Sequence, residues 1–465
     1  MYLLYSILLT IGVIALLPRF VIDALRHGKY AAGFRERLGR LPPLSSSATR
    51  GRPIIWLHCV SVGETQAARP LARALLGQYP SHALVVSTTT LTGQRIAREL
   101  FSHTAATIFY FPFDWSSMVR RALRAINPSV VLVMETELWP NFLRECRVRR
   151  VPVVLINGRI SENSFRRYKL IKGFISRVVN DLALAIMQTG ADAERIRTFG
   201  LSPERVKVSG NIKFDAEIEV GEHTLTGEMR ARFEVDERRP LLVAASTHAP
   251  EDRIVLEAFK RVRDVLTDRP PRLLIAPRHP ERFAKVASLL DASSLRWARR
   301  SASPTAEDAQ CDAILLDTIG ELRAVYPLAE IVFVGGSIAP VGGHNVLEPA
   351  GASKCNVTGA HTSNFDSIVR GFLERGALVQ LPHLTEAEAP SALARAFENL
   401  LGDDEQRRRI GENARCALDQ NRGASARTLE MLMPLLNSRQ YAGQNVADAI
   451  INLQSDVSRE ATVKR

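Results

Sequence analysis

The sequence is poor in the residues that build disulfide frameworks, zinc sites and nucleic-acid interfaces. Its five cysteines are scattered and form no CxxC pair: Cys59, Cys146, Cys311, Cys355 and Cys416. This pattern argues for a reducing compartment without disulfides or structural zinc. Aromatic residues make up only 6% of the chain, and no zinc-finger spacing, helix-turn-helix or RNA-binding motif is present. Nucleic acid is therefore not expected as a partner.

Motifs for metal and dinucleotide chemistry are also missing. The chain has no GxxxxGK[ST] segment, no GxGxxG after its first predicted strand, and no paired acids spaced as a metal site. Metal-dependent phosphoryl transfer and nicotinamide chemistry are disfavoured as a result. We expect neither a metal nor a cofactor.

Acidic residues are the minority among the charges. The chain carries 61 Lys and Arg against 49 Asp and Glu, a net charge of +12. This excess predicts an acidic partner, such as an anionic membrane surface or a phosphorylated substrate. With 465 residues, of which 46% are hydrophobic, the chain is long enough for two ordinary cores.

The N-terminus carries an apolar run of about 17 residues that ends at Pro18 and Arg19. It is just long enough to span a bilayer, and it lacks the basic start and small-residue cleavage site of a signal peptide. Basic residues follow it, which by the positive-inside rule places the rest of the chain in the cytoplasm. We expect an uncleaved membrane anchor; the alternative is a core helix of a soluble domain.

Short apolar runs alternate with amphipathic segments from Pro53 onward. Two series of such runs predict two parallel, doubly wound α/β sheets. The first series comprises Ile54–His58, Ala83–Ser87, Ile108–Phe111, Val130–Met134, Val153–Ile156, Leu184–Gln188 and Val206–Val208, and the second Leu241–Ala245, Leu273–Ala276, Ile314–Leu316 and Ile331–Val334. A polar, charged stretch within 215–240 marks the boundary. We expect an anchor in 1–20, Rossmann-like domains in 21–220 and 221–438 that face a cleft, and a polar tail in 439–465.

The stretch from Ile331 to Ala350 contains two glycine pairs between a buried strand and a helix start. Such a turn can offer backbone N–H groups and a helix N-terminus to a phosphate. Asn345 and Glu348 also have capping-box spacing. The stretch alone therefore leaves a nucleotide site and a simple helix cap equally open.

Three charged residues of the first domain follow its predicted strands. Glu64 follows the first strand and could deprotonate an acceptor hydroxyl, although Ser61-x-x-Glu64 is also a capping box. Glu135 follows the fourth strand, in the segment Glu135-Thr136-Glu137-Leu138-Trp139-Pro140, where the acids could instead favour a helix start at Pro140. Lys213 stands where the domain ends and could stabilise a leaving phosphate; the alternative is a solvated linker lysine.

Four successive strand ends of the second domain carry polar, anion-competent residues. They are the segments Ser246-Thr247-His248, Pro277-Arg278-His279-Pro280, Asp317-Thr318-Ile319-Gly320-Glu321-Leu322 and the GGHNVLEPA stretch. Because the carboxyl ends of parallel strands share one edge, we expect a ligand site there, with Arg278 as a phosphate ligand.

Taken together in order, SVGE, TETELWPN, GNIKFD, STH, PRHPERF, DTIGEL and GGHNVLEP behind an N-terminal anchor resemble the 3-deoxy-D-manno-octulosonic acid (Kdo) transferases. The resemblance covers about residues 1–430. It implies a two-domain GT-B glycosyltransferase fold and metal-independent, inverting transfer of Kdo from CMP-Kdo to a lipid A precursor, lipid IVA, at the cytoplasmic face of the inner membrane.

The resemblance also implies residue roles. Glu64 takes the place of the general base, and Glu135 and Lys213 those of transition-state stabilisers. The CMP-binding residues would be Pro277, Arg278, Ile319, Gly320, Glu321, Asn345, Val346, Leu347 and Glu348. Alternatives are a GT-B enzyme with another activated sugar or membrane acceptor, and a membrane-tethered nucleotide-binding module without turnover.

Overall fold

The computed structural model describes residues 1–27, 33–41, 44, 49, 51–215, 222–236 and 238–437. They form two compact units. One comprises the described residues of Met1–Ala216 and those from Arg422 onward, and the other comprises those of Glu217–Asn421. The last residue of the first unit described before the second unit begins is Asp215, at the start of the boundary region that the sequence predicts.

The first unit is built on a seven-stranded parallel sheet with the order β3-β2-β1-β4-β5-β6-β7. Its strands are β1 (Ile54–Cys59), β2 (Ala83–Thr88), β3 (Ala105–Tyr110), β4 (Val130–Met134), β5 (Val153–Gly158), β6 (Leu184–Met187) and β7 (Val206–Val208). Alternate residues of a strand enter two different cores: Trp56 and Val131 pack into one, Leu57 and Leu132 into the other. Both faces of the sheet are covered, and this explains the continuous hydrophobicity of the strands.

Helices pack on both faces of this sheet. They are α1 (Tyr2–His27), α2 (Phe34–Arg37), α3 (Val62–Gln78), α4 (Leu91–Phe101), α5 (Ser116–Ile126), α6 (Pro140–Val148), α7 (Glu162–Leu170), α8 (Lys172–Val179) and α9 (Gly190–Thr198), with 3-10 turns at Pro203–Arg205 and Ile212–Asp215. The first unit thus has the α/β architecture that the sequence predicts.

The second unit repeats this plan with the strand order β10-β11-β9-β8-β12-β13-β14, again parallel. Its strands are β8 (Leu241–Thr247), β9 (Arg272–Pro277), β10 (Trp297–Arg299), β11 (Ala313–Leu315), β12 (Ile331–Val334), β13 (Cys355–Thr358) and β14 (Val379–Gln380). Its helices are α10 (Glu222–Phe233), α11 (Glu251–Val265), α12 (Phe283–Asp291), α13 (Leu322–Val325), α14 (Leu347–Gly351), α15 (Asp366–Leu373), α16 (Ala389–Gly402) and α17 (Asp404–Asn421), with 3-10 turns at Pro280–Arg282, Ala306–Gln310 and Tyr326–Leu328. The expectation of two parallel α/β sheets is confirmed.

The end of the chain departs from the prediction. The sequence assigns 221–438 to the second domain, whereas the last helix, α18 (Ala424–Asn437), belongs to the first unit. Its start is held there by Asp215, whose carboxylate accepts the backbone N–H groups of Gly423 at 2.7 Å and Ser425 at 2.5 Å. The predicted tail, 439–465, lies outside the described residues.

The N-terminal helix α1 lies against the first unit along one side. The Tyr2 hydroxyl donates to Asp181 at 2.5 Å, Asn141 donates to the Ser6 hydroxyl at 3.0 Å, and the Trp115 indole donates to Thr10 at 2.9 Å. Among the residues that the structure describes, no helix combines the length and apolar character needed to cross a bilayer.

Candidate active site

Glu64 lies in the first turn of α3, directly after β1, and its residue is only 7% exposed. Its carboxylate accepts the Val60 N–H at 2.8 Å and the Ser61 hydroxyl at 2.9 Å, while Ser61 caps the helix. Burial, followed by the nearby charges of Glu135 and Glu137, raises the pKa of Glu64 to about 7. Glu64 therefore takes part in the cap of α3 and also has a carboxyl group with a raised pKa.

Glu135 follows β4, the neighbour of β1 in the sheet, and adopts a left-handed backbone conformation with φ of 54°. Its carboxylate pairs with the Lys213 ammonium at 2.7 Å. Burial and the charge of Glu135 raise the pKa of neighbouring Glu137 to about 7 as well. The helix start predicted for this segment is also present, since α6 begins at Pro140.

Lys213 lies in the 3-10 turn Ile212–Asp215, where two asparagines hold the backbone. The Asn157 side chain, at the end of β5, accepts the Ile212 N–H at 3.1 Å, and the Asn211 side chain accepts the Lys213 N–H at 3.0 Å. Asn157 is not among the site residues predicted from the sequence. The available signal was a polar residue directly after the predicted apolar run Val153–Ile156, at the edge where the other strand ends carry site residues.

The structure thus brings Glu64, Glu135 and Lys213 together within the first unit. Two carboxyl groups near neutral pKa, Glu64 and Glu137, lie beside an ion pair. A buried carboxylate of this kind can accept a proton at neutral pH, and a half-buried lysine can neutralise developing negative charge.

Pro277 and Arg278 lie at the end of β9, as predicted. Pro277 is the last residue of the strand, and the Arg278 N–H donates to the Thr247 carbonyl at 3.0 Å, while the Arg278 residue is exposed. A guanidinium held at a strand end and open to solvent can bind a phosphate bidentately.

The segment Ile319–Glu321 follows β11 on the same sheet edge. Gly320 has a φ of 90°, and Ile319 is 81% exposed. Glu321 forms two hydrogen bonds with Arg300, at 2.9 and 3.2 Å, and accepts the Thr318 hydroxyl at 2.7 Å. Its carboxylate is therefore fixed in place beside an open glycine turn.

The segment from Asn345 to Glu348 does not form the capping box that its spacing suggests. Helix α14 has Val346, not Asn345, as its N-cap. The Asn345 side chain accepts the Leu347 N–H at 3.0 Å and donates to Glu348 at 3.2 Å, and Arg323 pairs with Glu348 at 3.2 Å. Asn345 and Glu348 are partly exposed, whereas Val346 and Leu347 are buried.

Four backbone N–H groups in the glycine-rich turn after β12 already have an acceptor within the protein. The N–H groups of Gly336, Ser337, Ile338 and Ala339 all donate to the carboxylate of Glu251, at 2.7 to 3.1 Å. Glu251 is fully buried, so a side chain of the protein already occupies this ring of donors. These four N–H groups are therefore not available to a phosphate, whereas the rest of the stretch, with the second glycine pair and the start of α14, stays a predicted nucleotide site.

No group of three or more His, Cys, Asp or Glu side chains in the described part of the chain is arranged to hold a metal ion. The candidate site residues are thus acids with a lysine in the first unit, and acids with arginines in the second. Their roles in binding or catalysis stay predictions.

Known proteins resemble this chain over most of its length. The family model described as 3-deoxy-D-manno-octulosonic-acid transferase (kdotransferase) matches residues 32–216. The chain is 34% identical to the 3-deoxy-D-manno-octulosonic acid transferase of Haemophilus influenzae over 89% of this chain and 93% of that protein. It is 33% identical to the enzyme of the same name from Bordetella pertussis over 81% of this chain and 86% of that protein.

A solved structure shares the fold at low identity. The UDP-GlcNAc 2-epimerase from Neisseria meningitidis superposes with a TM-score of 0.55 at 12% identity, covering 82% of this chain and 99% of that one. This likeness extends across both α/β units.

Proposed function

Because this chain belongs to the 3-deoxy-D-manno-octulosonic acid transferase family, we propose that it is a glycosyltransferase of lipopolysaccharide biosynthesis with the GT-B fold. The donor is CMP-Kdo and the acceptor is a lipid A precursor. Transfer proceeds with inversion at the anomeric carbon and needs no metal ion.

One observation carries this proposal: Glu64 is a buried carboxyl group whose pKa is raised to about 7, beside the Glu135–Lys213 ion pair. A group with this pKa is divided between its two protonation states at neutral pH. It is therefore suited to accept a proton during the reaction and to release it afterwards.

In the proposed reaction, Glu64 takes the proton of an acceptor hydroxyl while that oxygen bonds to the anomeric carbon of Kdo. The bond from this carbon to the CMP phosphate oxygen breaks on the opposite side, and CMP leaves with the electron pair. Lys213 balances negative charge at the reacting centre, and Glu135 positions the ammonium group through their 2.7 Å contact. Such fixed charges act without reorganisation in the transition state.

The second unit binds the CMP group in this proposal. Arg278 contacts the phosphate, and Pro277 fixes its backbone at the strand end. The Ile319–Glu321 and Asn345–Glu348 loops hold the nucleoside. Arginines keep two carboxylates there in place, those of Glu321 and Glu348, and these can accept hydrogen bonds from hydroxyl or amino groups.

The apolar face of α1 supports a place at the membrane surface. Large side chains on its outer side are exposed: Leu3, Leu4, Ile7, Leu8, Ile11 and Ile14. Its inner side is tied to the first unit through Tyr2, Ser6 and Thr10. We propose that α1 lies within the cytoplasmic leaflet of the inner membrane as an interfacial anchor, with both units in the cytoplasm.

Arginines beside α1 fit the same location. Arg144, Arg147 and Arg177 line a pocket with Tyr2 and Asp181. Cations next to an exposed apolar helix are attracted to anionic headgroups, each contributing about 1 kcal/mol. Detergent-free flotation with anionic vesicles, comparing the full chain with a Leu4→Asp/Leu8→Asp variant, tests the anchor: loss of flotation in the variant is expected, and equal flotation would contradict it.

The activity itself is tested by incubating the full chain with CMP-Kdo, generated in situ, and tetra-acylated lipid A precursor in detergent with EDTA. Mass spectrometry should show a product heavier by one or more Kdo units. Product that forms only when a divalent metal is restored would contradict metal independence. If CMP binds but no product forms, another sugar donor or acceptor, or a binding module without turnover, replaces this proposal.

A further inference from the structure

Two histidines of the second unit share a hydrogen bond that lies outside every role assigned above. His248 follows β8 and His344 lies in the turn after β12, and their Nε2 atoms are 2.8 Å apart. The planes of the two rings are nearly parallel, at 9°, and the ring centroids are 5.1 Å apart. Gly336 leaves room for them, since a Cβ added there would lie 2.9 Å from His344 Cδ2.

The distance fixes how many protons lie between the rings. One Nε2 must carry a hydrogen and the other must offer its lone pair, because two N–H groups cannot point at each other at 2.8 Å. The ring that accepts therefore carries its hydrogen on Nδ1, and the ring that donates has a bare Nδ1 lone pair. Neither Nδ1 has a hydrogen-bond partner among the described residues. A neutral pair can thus take up one further proton, on the bare Nδ1, without losing the shared hydrogen bond.

The groups around His248 and His344 favour the neutral form of both rings. Burial, with the charges of Arg278, His248 and His279, lowers the pKa of His344 to about 3. Burial, with His279, Arg278 and Arg282, also lowers the pKa of His248, which Asp252 opposes. Arg282 itself is paired with Asp252, and Glu251 accepts the His248 backbone N–H and four N–H groups of the glycine turn. The cations that disfavour a charged pair therefore come from the β9 loop, which carries Arg278.

An anion bound at Arg278 would reverse this balance. The phosphate monoester of CMP carries a charge of about −1.5 to −2 near pH 7, and the phosphodiester of a CMP-sugar carries a single negative charge. Either would offset the guanidinium charge that now disfavours imidazolium. We propose that His248 and His344 are further donor-binding residues, a proton-sharing pair that takes up one proton when the phosphate of a nucleoside monophosphate group binds beside them. This inference deepens the proposed function and rests on it.

The consequence is a pH dependence of donor affinity with a definite sign. The pair gains a proton on binding, so affinity is highest at acidic pH and falls as pH rises. The fall approaches tenfold per pH unit for one proton taken up. CMP is the probe, and its affinity for the full chain is measured by calorimetry between about pH 5.5 and 7.5, in buffers of differing ionisation enthalpy.

The decisive variant is His344→Gln, because a glutamine amide can reach the position of Nε2 and keep the link to His248 but cannot take up a proton. The ligand's own phosphate titration is common to both proteins, so the difference between them isolates the pair. We expect the variant to bind CMP while taking up fewer protons than wild type, by up to one proton per CMP bound. Its CMP affinity should therefore fall less steeply with pH. His383→Asn is the matched control, because the His383 ring also lies beside another histidine ring, that of His361, with the ring centroids 5.1 Å apart. This variant should bind CMP with the proton uptake and pH dependence of wild type.

A merely structural link between the two loops predicts a different result. His344→Gln would then bind CMP with the wild-type proton uptake and pH slope, and this would overturn the inference while leaving the proposed function intact. Histidine ring nitrogen shifts in NMR give a direct second readout: two protonated Nδ1 atoms should appear only with CMP bound. Failure of the wild-type chain to bind CMP at any pH would overturn the proposed function, and this inference with it.

Discussion

Glu64 and Glu251 occupy the same place in two similar sheets, yet their surroundings give them opposite characters. Each lies in the first turn of the helix that follows the first strand of its unit, β1 or β8. Glu64 accepts two hydrogen bonds and faces two other carboxylates, which together with burial raise its pKa to about 7. Glu251 accepts five backbone N–H groups and is fully buried.

The difference shows that the number of donors decides what a buried glutamate at this position does. Five N–H groups satisfy a carboxylate and make it part of the framework, here the framework of the glycine turn. Two donors and neighbouring negative charge leave it ready to accept a proton. The first unit thus concentrates acids around one lysine, whereas the second pairs its acids with arginines or backbone and leaves Arg278 exposed.

The largest effect should come from Glu64→Gln. Glutamine keeps the size of the side chain and an oxygen that can accept the Val60 N–H, but it cannot take a proton from a hydroxyl. We expect kcat for transfer to fall by about 10²–10⁴-fold, as is typical for loss of a general base, with CMP affinity unchanged.

The matched control for this variant is Glu162→Gln, an exposed glutamate paired with Arg166 at the start of α7. Its transfer rate should equal that of wild type. Undiminished turnover in Glu64→Gln would show that another group, such as Glu137, accepts the proton.

Glu251→Gln should affect stability instead. The amide offers one acceptor oxygen in place of two and points an NH₂ group at backbone donors, so buried N–H groups lose their partners. We expect the free energy of unfolding of the second unit to fall by about 2–4 kcal/mol, measured by urea denaturation. Glu257→Gln, on the exposed side of the same helix, should change it by less than about 0.5 kcal/mol. Equal stability of both variants would show that Glu251 does not anchor the turn.

The architecture was largely predictable because both sheets are covered on both faces. Such strands must be apolar at nearly every position, and β4, β7 and β12 were predicted at their observed bounds. The three strands that the sequence did not predict lack this continuous apolar pattern. β10 ends in an arginine, β14 has only two residues, and β13 contains Asn356, a buried polar residue whose amide donates to the Val346 carbonyl at 3.3 Å.

The candidate site was predictable only as a set of loops. Strand ends of a parallel sheet share one edge, so the positions of Glu64, Glu135 and Arg278 follow from the order of the elements. What each side chain contacts does not follow from this order. Nothing in the sequence distinguishes Glu251 from other glutamates at helix starts, because all five of its partners are backbone N–H groups. One belongs to nearby His248, and the other four lie at least 85 residues away. The assignment of α18 to the first unit likewise rests on distant contacts. Its leucines pack into a core of that unit, and Asp215 accepts hydrogen bonds from residues more than 200 positions away.

The smallest effect concerns stability and pH, and it sharpens the contrast between the two glutamates. The pKa of Glu64 is raised in the folded protein from its ordinary value of 4.5 to about 7. Between these values the folded state binds more protons than the unfolded state, so this residue lowers stability as pH rises through that window. Glutamine carries no charge at any pH and removes the effect.

Glu64→Gln should therefore be more stable than wild type by about 1–3 kcal/mol at pH 8, and the two should be equal at pH 4, in urea titrations that follow the first unit. The gain at pH 8 would accompany the loss of transfer, because the same burial that makes the carboxylate a base makes its charge costly. Glu251→Gln should be destabilised at both pH values, since its partners are hydrogen-bond donors whose need for an acceptor does not change with pH. A stability difference for Glu64→Gln that is the same at pH 4 and pH 8 would mean that the Glu64 carboxylate is already satisfied when charged, and it would then be a second structural anchor like Glu251.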